Sequence, residues 1–136
     1  MWPFTSKKSV AVVPPTVISN GVMATYDRSW KKWTFSIGED NFEVRGEIFD
    51  VRVLEQVSVV PHWIADNAAQ INSEIERYLK GWVEWDGEKH TSGGIDVTEL
   101  TTKQQIDVEY VGNNWGDLGI TVVLREGLIV DSYAGD

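Results

Sequence analysis

The sequence predicts an α+β domain: an antiparallel β-sheet of about six strands packed against one long amphipathic helix, in the order β-β-β-α-β-β-β. Three observations carry this. Apolar and polar residues alternate with period two around Trp33 to Ile48. Apolar residues recur at spacings of three and four across 63–80. Alternation then returns after residue 105. Period two buries one face of a strand, and a 3.6 period buries one stripe of a helix. A helix lying between two strand-rich segments, rather than alternating with strands, gives α+β.

Residues 1–19 read as an extended arm and 20–136 as a single domain. Pro3, Pro14 and Pro15 remove backbone donors and favour extended chain in the arm. Trp2 and Phe4 give it apolar anchors. Residues 21–27 alternate and read as a strand. Trp33, Phe35 and Ile37 form the buried side of the next, with Lys32, Thr34 and Ser36 between them. Gly38-Glu39-Asp40-Asn41 is the expected turn, followed by Phe42, Val44, Gly46 and Ile48 on a paired strand. Val51, Val53, Val57, Val59 and Val60 suggest a further extended stretch ending at Pro61.

The helix is expected over 63–80. Ile64, Ala68, Ile71, Ile75, Tyr78, Leu79 and Trp82 form its apolar face. Asp66 near the start and Arg77 and Lys80 near the end suit the helix dipole, and Gly81 suits the C-terminal stop. Asp86-Gly87 is a tight-turn pair. Thr98 could cap a short helical turn within 97–104. Residues 106–136 read as a three-stranded meander turning at Glu126-Gly127.

The chain has 136 residues, with 42% apolar and 24% charged, which is ordinary single-domain chemistry. Cysteine is absent, which removes disulfides, thiolate nucleophiles and Cys-bound metals. The net charge is -9, unevenly spread: residues 84–136 hold 11 acids against 3 bases. Such a surface repels phosphate backbones, so nucleic acid is not an expected partner, and a basic protein is. Pro14 and Pro15 interrupt Val10 to Ile18, and nothing approaches the ~20 apolar residues of a membrane span. No membrane partner is therefore expected, and the cytoplasm is the expected location. The sequence leaves the oligomeric state open.

No motif for catalysis, a cofactor or a metal stands in the chain. His62 and His90 share no ligand spacing, and G-x-S-x-G is absent. Ser92-Gly93-Gly94 lacks the lysine of a phosphate loop. The candidates are instead binding residues. Asn114, Trp115 and Asp117 occupy a polar, glycine-containing loop between two strands, where binding groups tend to sit. Trp115 there either offers a contact surface or folds back over the sheet edge. Asp131, Tyr133 and Asp136 form an acidic, aromatic tail that would lie near Asp117 if the last two strands pair. The chain has seven tryptophans, which serve either as core or as stacking surfaces for a sugar or a partner.

Trp115-Gly116-Asp117-Leu118-Gly119-Ile120, the run from Ile129 to Asp136, and Ile75-Glu76-Arg77-Tyr78-Leu79 resemble small bacterial α+β domains of unknown function, over roughly residues 23–136. Some such domains are similar to immunity proteins, which neutralise a partner toxin. The resemblance implies a non-enzymatic interaction domain and supplies no catalytic residues. A small-ligand or carbohydrate-binding module using Trp115 with Trp85 or Trp30, and an unrecognised hydrolase, are the alternatives.

Overall fold

A computed structural model describes residues 16–135. Nine strands form one sheet. They are β1 (Thr16–Ser19), β2 (Val22–Asp27), β3 (Lys32–Ile37), β4 (Asp40–Arg45), β5 (His90–Thr91), β6 (Ile95–Asp96), β7 (Gln105–Val111), β8 (Gly119–Arg125) and β9 (Leu128–Gly135). Between β4 and β5 lie helices α1 (Val53–Gln56), α2 (Val60–Asp66) and α3 (Ala68–Leu79), with a 3-10 turn at Val57–Val59. Helix α4 (Leu100–Lys103) precedes β7.

The strand order is β1-β2-β3-β4-β6-β7-β8-β9, with β5 also paired to β7. Every pairing is antiparallel except β4 with β6. A parallel pair cannot be joined by a tight turn; the chain must cross over the sheet. Here the crossover carries α1, α2 and α3. The sheet is buried by Trp33, Phe35, Phe42 and Val44 on one half and by Ile106, Val108, Ile120, Val122 and Leu124 on the other. Val53, Val57, Val60, Ile71, Ile75 and Leu79 from the helices join the same core.

In place of the expected six strands and single long helix, the described residues form nine strands and four helices. The added strand β1 comes from Asn20-Gly21, with φ of 54° and 75°, the left-handed pair that closes a two-residue hairpin. Residues 16–19 therefore leave the expected arm and join the sheet, while residues 1–15 lie outside the described residues. The β3–β4 link is two residues, not four, because Ile37 pairs with Asp40. Strand β4 stops at Arg45, so Ile48 is exposed rather than in the sheet.

The stretch expected to be extended at 51–60 is helical from Val53. Its buried residues Val53, Val57 and Val60 fall three and four apart, so tertiary burial overrides the strand preference of valine. The expected helix over 63–80 is two helices, broken at Asn67, whose φ of -108° and ψ of 15° lie off the helix. Asn67 is buried, and its Nδ2 donates to the carbonyls of Trp63 and Gly127, both at 2.8 Å. That ties the break to the β8–β9 turn. Its Oδ1, the atom that could cap, makes no bond to the first turn of α3.

Helix α3 is held to β9 by a polar clamp. Tyr78 OH donates to the Ser132 carbonyl at 2.6 Å, Ser132 Oγ donates to Glu74, and Arg77 Nη2 reaches Glu74 at 2.8 Å. The hydrogen bond from Arg77, and then that from Ser132, holds the Glu74 carboxyl below its usual range. Helix α4 forms where a helical turn was expected. Thr98 does not cap it: its Oγ1 donates to Asp96 at 2.6 Å and accepts from the Arg45 N–H at 2.9 Å. The C-terminal meander forms as expected.

Candidate functional site

Because the crossover places α1, α2 and α3 on one side, the alternating residues of each strand point to a face the helices leave uncovered. Strand pairing sets the composition of that face. Glu43 on β4 lies opposite Asp96 on β6, and Asp96 lies opposite Asp107 on β7. The rung continues through Val123 on β8 to Asp131 on β9. Carboxylates thus cross the sheet on adjacent strands, where like charges directly opposite are destabilising. A fold keeps such a conflict where something offsets it.

Two cations offset part of it. Lys32 Nζ meets Glu43 at 3.1 Å, and Arg45 meets Asp96 at 3.0 Å. Asp107 has no ion pair among the described residues. Burial holds its carboxyl above the usual carboxylate range; the Asp96 charge adds to this and Arg45 opposes it. Glu109, two residues along β7 on the same face, accepts from Ser92 Oγ.

These groups line a concave cavity of about 410 Å³, with Thr121 and Tyr133 on its β8–β9 side and Gly93-Gly94 facing them. A second cavity of about 620 Å³ adjoins it on the same face, between Met23, Thr25, Thr34, Ser36 and Asn41. Lys32, Glu43, Gly93 and Gly94 line both. Gly94 sits tight on β4, since a Cβ there would lie 3.1 Å from the Phe42 carbonyl carbon. The two cavities form one trough, acidic toward β7 and neutral toward β2.

The residues singled out by sequence fall in several places. Trp115 is 1% exposed, with its ring lying over Gly112, so it belongs to the core. Asn114 Nδ2 donates to the Glu84 carbonyl at 2.7 Å and pins the loop. Asp117 is exposed at the loop end. Strands β8 and β9 do pair, but Asp131 lies opposite Val123 while Gly119 lies opposite Gly135. Four strand residues, ~14 Å, therefore separate Asp131 from the Asp117 end of the hairpin. Tyr133 lines the acidic cavity and Asp131 ends the carboxylate rung. Asp136 lies outside the described residues. Trp30 and Trp82 are exposed, Trp33 is buried, and Trp85 is half-buried with Nε1 donating to the Glu88 carbonyl at 2.9 Å. Trp115 thus forms no shared surface with Trp85 or Trp30.

Sequence reasoning missed Glu43, Asp96, Asp107 and Glu109 as a set. The alternation of Asp107 and Glu109 with Ile106, Val108 and Tyr110 does put those two on the polar face. What the sequence lacked was the parallel β4–β6 pairing that brings Glu43 and Asp96 beside them. Among the described residues no group of three or more His, Asp or Glu side chains is arranged to hold a metal. No helix there is long and apolar enough to cross a membrane. Comparison with known proteins finds no matching family model, no matching curated protein and no matching solved structure.

Proposed function

We propose that this chain is a non-enzymatic protein-interaction domain that takes a basic partner on the uncovered face of its sheet. The observation that carries the reading is Asp107, a carboxylate opposite a second carboxylate and without an ion pair among the described residues. A cationic side chain supplied by a partner would relieve both the repulsion and the burial cost. The overall charge of -9 adds long-range attraction for such a partner. An immunity-like role is the special case in which the partner is a basic toxin.

The test is an NMR titration of the labelled protein with arginine amide, then with a basic peptide, at low and high salt. Shifts should cluster at Glu43, Asp96, Asp107 and Glu109, weaken with salt, and vanish in the Asp107→Asn, Glu109→Gln double variant. A flat response from wild type at low salt would end this reading. One observation favours the hydrolase alternative: a carboxyl with a raised pKa inside a cavity with converging polar groups. Under that reading Asp107 holds a proton for a leaving group, and Asp107→Asn abolishes turnover while a basic peptide still binds.

A further inference from the structure

The acidic cavity is only half of the uncovered trough, and the neutral half carries its own signal. Ile18 and Met23 are cross-strand partners at its β1–β2 end, 71% and 58% exposed. Met23 lines the neutral cavity. Between this apolar pair and Asp107 stand Gly93 and Gly94, which line both cavities without placing a side chain in either. The Lys32–Glu43 ion pair lines both cavities as well and borders the same passage.

The geometry points to an extended polypeptide segment of a partner protein as the occupant, lying across the strands with an arginine in the acidic cavity and an apolar side chain over Met23 and Ile18. This rests on the basic-partner reading above and goes beyond it by fixing the shape and spacing of the ligand. Asp96 and Asp107 stand opposite one another, and Tyr133 contributes a half-exposed ring to the same cavity. A planar guanidinium can bond two carboxylates and stack on a ring, which an ammonium cannot do as well. From β2 to β7 the path crosses four strand spacings of ~4.8 Å, or ~19 Å, which an extended chain covers in ~6 residues. The segment thus carries an arginine and a large apolar residue about six positions apart.

The experiment uses the full chain and ten-residue synthetic peptides of Gly, Ser and Thr carrying one arginine and one leucine six apart, in both orders. Controls replace the leucine with glycine or the arginine with lysine. Binding is read by calorimetry and NMR. The blocking variant is Gly93→Trp. Gly93 has ordinary negative-φ backbone and nothing within 4 Å of an added Cβ, so the substitution obstructs the trough without straining the fold. Unchanged thermal unfolding verifies this.

One peptide order should bind wild type about tenfold more tightly than its leucine-free control. That preference should disappear in Gly93→Trp and in Met23→Ser; Met23 lines only the neutral cavity, so arginine amide should bind Met23→Ser as it binds wild type. The inference is overturned if the leucine makes no difference, if Gly93→Trp binds the peptide like wild type, or if lysine serves as well as arginine. It also falls if the protein self-associates and the peptide does not compete with that association, since the occupant is then a second copy. In all of these outcomes arginine amide still binds, so the wider reading stands. If arginine amide fails to bind as well, both fall.

Discussion

Replacing Asn67 with alanine should destabilise the domain by ~2 kcal/mol, because one amide fastens the helical layer to the last hairpin. The side chain makes two part-buried hydrogen bonds, to Trp63 and Gly127, each at 2.8 Å. The Trp63 carbonyl keeps a bond from the Asn67 backbone N–H at 3.2 Å. The Gly127 carbonyl loses the Asn67 amide. Each lost bond costs ~1 kcal/mol net. Alanine recovers at most ~0.7 kcal/mol of helix propensity, and little of that at a residue whose φ of -108° lies off the helix. With ~2.1 cal/mol/K of unfolding entropy per residue, 136 residues convert ~2 kcal/mol into a fall in Tm of ~7 °C. Calorimetry measures the fall, and urea unfolding should show a lower midpoint with an unchanged slope. Asn67→Asp is the sharper case. At neutral pH it presents two acceptors to two carbonyls and should be worse than alanine; on acidification the protonated acid recovers one donor and the gap narrows. If both variants melt within 2 °C of wild type, the hydrogen bonds do not hold the layers together and the reasoning is wrong.

Four further outcomes follow from the same structure. Asp107→Asn should raise Tm at neutral pH, by up to ~1 kcal/mol in stability, by removing a charge opposite Asp96. Since the Asp107 pKa is raised on folding, its cost appears as pH rises through the folded value, so the gain should vanish at acid pH; an equal gain at all pH would contradict the assignment. Glu74 is lowered on folding, so its contribution is present above the ordinary carboxylate pKa and lost as pH falls through the folded value; Glu74→Gln should flatten that part of the acid limb of a pH–Tm curve. Burial pushes the Tyr110 hydroxyl up to about 12, and it has no hydrogen-bond partner among the described residues. Tyr110→Phe should leave stability at pH 7 unchanged or higher by ~1 kcal/mol and remove the loss that sets in between pH 10 and about 12; a drop of several degrees at pH 7 would reveal a partner. A Cβ on Gly112 would lie 2.2 Å from Trp115 Nε1, so Gly112→Ala should expel the indole, cost ~3 kcal/mol and shift tryptophan emission to the red, whereas unchanged emission would mean the ring never lay there.

Elements whose burial pattern is local were legible in the sequence. Trp33, Phe35, Phe42 and Val44 are buried as their alternation implied, and the meander after residue 105 turns at Glu126-Gly127. Asn20-Gly21 is itself a two-residue hairpin pair, but the prolines before it favour extended, unpaired chain. Val53 to Val60 misled because valine favours strands in general, whereas three-and-four spacing governs once a sheet is available to cover. Asn67 gave no local sign of a break, since its reason for leaving the helix is Gly127, sixty residues away. Strands β5 and β6 are two residues each, too short for any period to register. The trough was illegible for the same reason as β6: its acidic rung exists only once β4 and β6 lie side by side.

That side-by-side contact has a kinetic consequence. The first four strands are joined by links of two to four residues, and the last three by the loop 112–118 and a two-residue turn, but β4 and β6 share only two residue pairs, Phe42 with Ile95 and Glu43 with Asp96. Loop closure across that span comes late and is repaid by few bonds, so the join should be the slowest step of folding and the first to open in the native state. Amide protons of Ile95, Asp96 and Val97 should therefore exchange sooner than those of Val108 and Val122. The proposed docking face would then lie astride the protein's own line of weakness, and a segment docked there would also act as a splint.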